Sequence, residues 1–299
     1  MICIKLSGGL GNQMFQYALG VALSKKKNSK LMLDKSFLNK RGRNLNYTLR
    51  DYELDIFVDD TSEPSFLDRI KCHFYYFYQI SHHLNKLIGA SFFEKNFILE
   101  NNNVSYDNRI NSVSSNVLLI GNWQNEKYFS SFQDSVISHF SFKLPLNAIN
   151  SKRLNRILNS NSISIHVRRG DYVDNIGANK NHGVCSLDYY RKSINYILNK
   201  IDNPTFFVFS DDPVWVEENL KIKGEHEYIN GNMGNMSYVD MQLMSNCKHN
   251  IIANSSFSWW GAWLNRNTEK IIIAPRQWFA NPEKNSNKKE LVPSSWIKI

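Results

Sequence analysis

The chain has 299 residues, 42% of them hydrophobic and 21% charged, a composition ordinary for a soluble globular protein. This length suffices for one large domain or for two of medium size. Lysine and arginine number 36 against 27 acidic residues, and the resulting charge of +9 is spread over both halves. A diffuse positive field suits a nucleotide or an anionic membrane surface. No basic stripe with interleaved aromatic residues is present, which argues against a nucleic acid partner.

The cysteines and the apolar segments indicate where the protein works. The four cysteines are widely spaced without a C-x-x-C pair, which predicts neither a zinc site nor a disulfide framework. We therefore expect reduced thiols and a cytoplasmic location. The first residues lack the pattern of a signal peptide, and no run reaches the roughly 18–20 apolar residues of a membrane span. Residues 74–93 come nearest, and a core helix is more typical of them than a peripheral amphipathic helix.

The chain begins with the order strand, glycine-rich turn, helix and strand. Residues 2–6 suit a buried strand, residues 7–12 a tight turn, and residues 13–25 a helix. Residues 31–34 form the second predicted strand, which ends in an acidic residue. This order predicts parallel pairing of the two strands.

The glycine-rich turn partly matches a dinucleotide-binding fingerprint. Gly9 and Gly11 supply two of its glycines, and Asp34 lies about where a ribose-binding acid would. Met14 occupies the position of the third glycine, so the pattern fails. The turn could let a ligand approach the backbone closely, or it could be a tight turn alone.

Residues 35–116 have weak periodicity, and we assign no element there. A strand is predicted at residues 117–121 and a helix around residues 128–140. Pro145 and the asparagines after it are typical of a connection between domains. We therefore predict an N-terminal domain over residues 1–150 and a C-terminal domain over residues 151–299.

The second half alternates strands with helices, which predicts a doubly wound parallel sheet. Its predicted strands are residues 162–167, 205–210, 228–229, 249–253 and 271–274. Its predicted helices are residues 187–201, 213–220, 237–245 and 257–264.

Polar side chains follow two of these strands. His166, Arg168, Arg169 and Asp171 lie at the end of the strand at residues 162–167. In open α/β sheets ligands bind at this end of the strands, and guanidinium groups suit phosphate or carboxylate. The alternative for an Arg-Arg pair is an ion-paired surface loop.

The strand at residues 249–253 runs into Asn254-Ser255-Ser256-Phe257-Ser258 at the start of a helix. Hydroxyl groups and free backbone N–H groups at a helix N-terminus form an anion site, although one serine could simply be the N-cap. Two such strand ends in one sheet point to a nucleoside diphosphate. Tryptophans 259, 260 and 263 have helical spacing that is typical of core.

At this point the chain resembles the bacterial α-1,2-fucosyltransferases of glycosyltransferase family 11. The matching stretches follow one another in order along nearly the whole chain, and their joint occurrence is highly specific. They are residues 8–13, 166–172, 182–186, 210–212 and 254–264.

The resemblance implies a GT-B-like α/β fold with two Rossmann-like domains that face a cleft. Residues 1–150 would then be the acceptor side, and residues 151–299 would bind GDP-fucose. The implied reaction transfers fucose from GDP-β-L-fucose to the 2-hydroxyl of a terminal galactose with inversion, without a metal or other cofactor. The acceptor would be a galactose-terminated glycan or a lipid-linked oligosaccharide in O-antigen or other surface polysaccharide synthesis. Peripheral contact with the inner membrane would follow from a lipid-linked acceptor.

The resemblance also implies residue roles in donor binding. Arg168 would hold the β-phosphate, with His166 near the nucleotide. Asp240 would accept hydrogen bonds from the guanine edge, and a single carboxylate can indeed accept from N1–H and the 2-amino group together.

The diphosphate would also be held by two turns. Ser255, Ser256 and Phe257 would cradle it from the C-terminal domain, and Gly11 and Asn12 would reach it from the N-terminal domain. The sequence contains no Asp-x-Asp triplet, which fits catalysis by charge stabilisation without a metal ion.

The general base is less well defined by the sequence. Asp171 is the acid nearest to Arg168 and is the first candidate, although it could instead brace the arginines. A loose transition state would need little help from a base. The other candidates are Asp34, Glu94, Asp174 and Asp188.

Two other function classes are compatible with parts of the sequence. A nucleotide-dependent oxidoreductase would use the turn at Gly9 and Gly11, but Met14 argues against it. A non-catalytic glycan-binding protein would use the tryptophans as sugar platforms, but their helical spacing favours core.

Overall fold

The computed structural model describes residues 1–38, 50–57, 96–170, 173 and 183–299. The described chain separates into two compact units, Met1–Lys143 and Leu144–Ile299. The division falls after Lys143, whereas the sequence analysis placed it after Asn150. The helix Ala148–Leu158, capped by the side chain of Asn147, spans the predicted boundary.

The first unit contains a four-stranded parallel sheet in the order β2-β1-β4-β3. Helix α1 follows β1, and α2 lies near the end of the unit. The strands are β1 (Ile2–Lys5), β2 (Leu31–Asp34), β3 (Phe97–Leu99) and β4 (Val117–Ile120), and the helices are α1 (Leu10–Lys26) and α2 (Gln133–His139).

Helix α1 is buried around most of its surface. Its residues from Leu10 to Leu23 are nearly all buried, and Gly20 lets the helix approach the side chains of Ile4 and Leu31. Lys25 and Lys26 in the last turn are favourably placed against the helix dipole. The helix begins at Leu10, earlier than the predicted residue 13, and the extended Gly9 is its N-cap residue.

The second unit contains a six-stranded parallel sheet in the order β10-β9-β8-β5-β6-β7. Its strands are β5 (Asn161–Val167), β6 (Pro204–Ser210), β7 (His226–Ile229), β8 (His249–Ile251), β9 (Ile272–Ala274) and β10 (Ile297–Lys298). Its helices are α3 (Ala148–Leu158), α4 (Leu187–Leu198), α5 (Pro213–Asn219), α6 (Tyr238–Asn246), α7 (Ser256–Trp263) and α8 (Pro282–Asn287).

The chain order places a topological switch point between β5 and β8. From β5 the chain adds β6 and β7 on one side, and then crosses to add β8, β9 and β10 on the other. In open α/β sheets the crevice outside this point is where ligands bind. The first unit also has a switch point, between β1 and β4, with β2 on one side of β1 and β4 and β3 on the other.

Alternation along β5 gives the strand two chemically different faces. Ile163, Ile165 and Val167 belong to the hydrophobic core of the second unit. Ser164 on the other face accepts a hydrogen bond from Asn250 Nδ2 at 2.7 Å. His166 continues this polar face and is also buried.

The α/β class with two parallel sheets confirms the predicted fold class. The tryptophans of α7 are core, as predicted: Trp259 and Trp260 are fully buried, and Trp263 is 6% exposed. They are therefore not sugar platforms. Strands β3 and β10 and helices α3 and α8 were not predicted. The asparagines at the start of α3 had been interpreted as a connection between domains.

The cysteines differ in part from the prediction. Cys185 and Cys247 carry free thiols, as expected. Cys3, in contrast, is disulfide-bonded, which the wide spacing of the cysteines did not predict.

Candidate functional site

The end of β5 is built around the carboxylate of Asp211, which follows β6. Asp211 Oδ1 accepts a hydrogen bond from the backbone N–H of Arg169 at 2.8 Å, and its Oδ2 lies 3.1 Å from Arg168 Nη1. A Cβ on Gly170 would lie 2.2 Å from Asp211 Oδ2, so only glycine fits there. The Arg168 side chain keeps 22% of its surface exposed. Asp211 was not predicted as a site residue, because its partners lie far from it in the chain.

Arg169 is held in place by its neighbours. Its Nε lies 3.1 Å from Asp212 Oδ2, and its guanidinium carbon lies 3.5 Å from the ring centroid of Trp215. Stacking on an aromatic face together with an ion pair fixes the side chain. Arg168 and Arg169 thus have different surroundings, as expected of neighbours that leave a strand.

His166 is buried beside Arg168. Its ring centroid lies 5.5 Å from that of Phe257, and its Nδ1 is buried with no hydrogen-bond partner among the described residues. Burial, with a smaller contribution from the Arg168 charge, lowers the pKa of His166 from 6.5 to about 3. His166 is therefore neutral at physiological pH and can offer a ring nitrogen to a ligand.

The neutral state of His166 makes stability depend on pH. Between pH 6.5 and 3 the unfolded chain binds a proton at this histidine and the native protein does not, so acid favours unfolding. We expect the free energy of unfolding to fall by roughly 1.4 kcal/mol per pH unit below about 6.5 from this group. When urea unfolding is measured at pH 7 and pH 5, the free energy of unfolding should decrease less in His166→Gln than in the wild type. Equal losses in both proteins would contradict the assignment.

Most polar side chains in the segment after β8, residues 254–258, are hydrogen-bonded within the protein. Asn254 Nδ2 donates to the carbonyls of Gly183 (3.2 Å) and Trp278 (3.1 Å), and Ser255 Oγ accepts from the N–H of Phe257 as the N-cap of α7. Ser258 Oγ donates to the carbonyl of Ala253. These bonds explain three of the four polar side chains. The hydroxyl group of Ser256, a partly buried residue, makes no hydrogen bond within the described part of the chain.

Asp240 lies in the first turn of α6. Its Oδ1 accepts a hydrogen bond from Asn232 Nδ2 at 2.8 Å. Burial raises its pKa from 3.8 to about 7, and the bond from Asn232 and the charge of Arg153 partly offset that rise. A carboxylate with so few compensating donors in the protein is suited to receive donors from a ligand.

The glycine-rich turn of the first unit is rigid. Gly8 has φ +74°, and a Cβ there would lie 2.5 Å from Asn12 Nδ2, so both backbone and space require glycine. Asn12 Oδ1 accepts a hydrogen bond from Gln124 Nε2 at 2.7 Å, which joins the segments after β1 and β4. Gly11 is buried inside α1.

Gln13 and Glu53 hold this turn in place, although neither was predicted as a site residue. Gln13 Nε2 donates to the carbonyls of Gly8 (2.9 Å) and Asp51 (2.8 Å), and its Oε1 accepts from the N–H of Glu53 at 3.0 Å. The Glu53 carboxylate accepts from the N–H of Leu10 at the start of α1, and burial raises its pKa. Glu53 stands in a stretch without periodicity, so no sequence signal identified it.

Only two of the predicted general bases, Asp34 and Asp188, lie within the described residues. Asp171, Glu94 and Asp174 lie outside the described residues. Asp34 Oδ1 accepts from the N–H of Ser36 at 2.9 Å, and the exposed Asp188 pairs with Lys192. Among the residues that the structure describes, no three His, Cys, Asp or Glu side chains lie together as potential metal ligands.

The comparison with known families decides the class of the protein. The sequence profile described as Glycosyl transferase family 11 matches residues 1–299. The chain belongs to glycosyltransferase family 11. The resemblance predicted from the sequence motifs is therefore confirmed, and the oxidoreductase alternative is not retained.

Two relatives from Escherichia coli match this family 11 glycosyltransferase over nearly their whole length. An alpha-1,2-colitosyltransferase is 41% identical over 100% of this chain and 99% of its own. The O-antigen biosynthesis glycosyltransferase WbnK is 37% identical over 98% and 99%.

Among solved structures, Arabidopsis thaliana FUT1 in complex with GDP has a similar fold. The TM-score is 0.50 at 12% identity, over 91% of this chain and 69% of that one. No helix in the described part of the family 11 chain is both long and apolar enough to span a bilayer.

Proposed function

We propose that this family 11 enzyme transfers fucose from GDP-β-L-fucose to the 2-hydroxyl of a terminal galactose, with inversion at the anomeric carbon. One observation carries the proposal. Arg168 follows β5 and Ser255 and Ser256 follow β8, and these neighbouring strands form the switch point of the six-stranded sheet. A nucleoside diphosphate is the ligand class that suits a guanidinium and a helix N-terminus at such a crevice.

In the proposed reaction the departing diphosphate accumulates negative charge as the fucosyl–oxygen bond breaks. Arg168, held by Asp211, would bind the β-phosphate, and the N-terminus of α7 at Ser256 and Phe257 would supply N–H donors. Neutral His166 would donate or accept beside the nucleotide without adding charge. Asp240 would accept from the guanine edge, and Gly11 and Asn12 would contribute from the first unit.

The attacking galactose hydroxyl has to lose a proton during the transfer. Asp171, two residues after Arg169, is our first candidate for the group that accepts it. Inversion requires this acceptor to lie on the face of the sugar opposite the leaving diphosphate. Arg168 would then hold the diphosphate on one face of the sugar, and the base would act from the opposite face.

The biological setting proposed is the synthesis of O-antigen or another surface polysaccharide in the cytoplasm. It is supported by the relative named an O-antigen biosynthesis glycosyltransferase at 37% identity. A lipid-linked acceptor would bring the enzyme into peripheral contact with the inner membrane, and the charge of +9 is favourable for such contact.

Colitose is a second candidate for the transferred sugar. The observation that favours it is the relative at 41% identity, which is named an alpha-1,2-colitosyltransferase. Both donors would use the nucleotide-binding residues proposed above and would differ only in the sugar that they carry.

A donor and acceptor panel tests the proposal. GDP-fucose and GDP-colitose are each offered with lactose, N-acetyllactosamine and a β-1,3-linked galactose disaccharide, and the product linkage is determined by NMR. We expect an α-1,2-fucosylated product. Turnover with GDP-colitose alone would replace the fucosyl proposal by the second candidate, and turnover with neither would overturn both.

Turnover should not depend on a divalent metal ion. The prediction rests on the missing Asp-x-Asp triplet and on Arg168 and the α7 N-terminus, which would supply the positive charge. We expect the rate in excess EDTA to stay within about twofold of the untreated rate. A tenfold loss that Mg²⁺ or Mn²⁺ restores would contradict the prediction.

A further inference from the structure

Two buried asparagines form a reciprocal amide pair in the second unit. Asn150 Nδ2 donates to Asn232 Oδ1 at 2.8 Å, and Asn232 Nδ2 donates to Asn150 Oδ1 at 3.2 Å. Asn150 belongs to α3 and is 2% exposed, while Asn232 follows β7 and is 6% exposed. Such pairing uses one amide hydrogen of Asn232, and its second hydrogen goes to Asp240 Oδ1.

A guanidinium at the other end fixes which way both amides point. Arg153 Nη1 donates to Asn150 Oδ1 at 3.1 Å, and Arg153 itself is held by Glu227 Oε1 at 3.1 Å. An arginine can only donate, so the oxygen of Asn150 has to face it. The nitrogen of Asn150 then faces the oxygen of Asn232, and the nitrogen of Asn232 faces Asp240.

This chain of donors sets the chemistry of Asp240. A proton on Oδ1 would face the N–H of Asn232, so Oδ1 is kept as an acceptor. Oδ2 and the remaining lone pair of Oδ1 are then available to two donors side by side. Guanine presents such a pair of donors in its N1–H and its 2-amino group. A base with an acceptor at N1 would instead place that acceptor against the acceptor oxygens of Asp240.

We propose that Asn232, oriented by Asn150 and Arg153, is a positioning residue that makes Asp240 selective for a purine with a 2-amino group. The inference rests on the proposed function, in which Asp240 faces the nucleobase. Asn232 does not itself touch the base. It acts by fixing the acceptor state and the rotamer of the carboxylate.

The charged groups near Asp240 give the test a pH readout. Among the described residues these are Arg153, whose charge lowers the pKa of Asp240, and Glu227, which pairs with Arg153. The hydrogen bond from Asn232 also lowers the pKa of Asp240. Its removal should move the pH midpoint of GDP binding upward, because a larger fraction of Asp240 is then protonated at a given pH.

The experiment measures the affinity of the full chain for GDP and for IDP, which lacks the 2-amino group, by calorimetry between pH 6.5 and 8.5. The wild type should prefer GDP by about tenfold. Asn232→Ala should lose about tenfold in GDP affinity and most of the preference over IDP, with the midpoint shifted up. Donor KM should rise while kcat stays within about twofold.

Matched variants separate positioning from a general loss of structure. Asn230→Ala removes an exposed side-chain amide two residues away whose Nδ2 donates to Glu217, and it should behave as wild type. Asn150→Ala still allows the hydrogen bond from Asn232 to Asp240 but no longer fixes the orientation of the Asn232 amide. This variant should lose part of the preference for GDP over IDP. If circular dichroism shows that Asn232→Ala does not fold, the affinities of Asn150→Ala for GDP and IDP provide the test.

The outcomes distinguish this inference from the proposed function. A wild type without saturable GDP binding overturns the proposed function, and this inference with it. Normal GDP binding with an unchanged GDP-to-IDP ratio and pH midpoint in the variants overturns only the role of Asn232. Equal losses for GDP and IDP would show a merely structural role and would also overturn it.

Discussion

Arg168→Lys should reduce kcat by about 10²-fold or more while GDP affinity stays within about tenfold. Lysine keeps the positive charge but loses the planar fork that can bind Asp211 and a phosphate at the same time. If the fork aligns the leaving diphosphate, most of its contribution appears only as the fucosyl–oxygen bond breaks. The measurements are kcat and GDP affinity, with circular dichroism to establish folding.

Arg169→Lys is the matched control for this variant. Its guanidinium is occupied by Asp212 and by the face of Trp215. We therefore expect a smaller effect on kcat and some loss of stability, since an ammonium stacks less well on an indole ring. An inactive Arg169→Lys with an active Arg168→Lys would reverse the assignment. Near-normal kcat in both would make the two arginines structural and remove the central support of the proposed mechanism.

Asp240→Asn should weaken GDP binding by about 2–4 kcal/mol, because an amide donor would then face the donors of guanine in a buried site. The structure adds a pH dependence to this expectation. Below its pKa of about 7 the carboxyl of Asp240 is protonated and loses one acceptor. The difference in GDP affinity between wild type and variant should therefore be largest above pH 8 and should narrow as the pH falls below 7.

Asp240→Asn should have the opposite effect on stability: GDP binding weakens, but the free energy of unfolding does not fall. Burial raises the pKa of Asp240 from 3.8 to about 7, so the free energy of unfolding falls as the pH rises from about 4 to about 7, and the full cost of the buried charge is present above pH 7. Asp240→Asn should therefore be at least as stable as wild type at pH 8. Asp188→Asn, which removes an exposed carboxylate paired with Lys192, is the control and should leave GDP affinity unchanged. Undiminished GDP affinity in a folded Asp240→Asn would remove Asp240 from the site.

The sequence alone determined the family and the alternation of strands and helices in most of the second unit. Apolar strands such as β5 and β6 carry a strong local pattern, and the hydroxyl-rich start of α7 marks a strand-to-helix junction. The motifs around Arg168 and Ser255 are contiguous in the chain, so they could be identified without coordinates. Parallel alternation of strands and helices then predicted a doubly wound sheet.

Only the tertiary structure decided which strands are neighbours and which side chains meet. The pairing of β5 with β8 joins Arg168 to the Ser255 segment, and no local pattern specifies it. Asp211 reaches Arg168 across 43 positions of the chain, and Asn232 reaches Asn150 across 82. Such contacts depend on how separated segments pack, because a side chain's hydrogen-bond partners follow from proximity in space. Local sequence patterns reflect only interactions between residues that are close in the chain. The strand ends were therefore predictable, whereas the network that orients Asp240 was not.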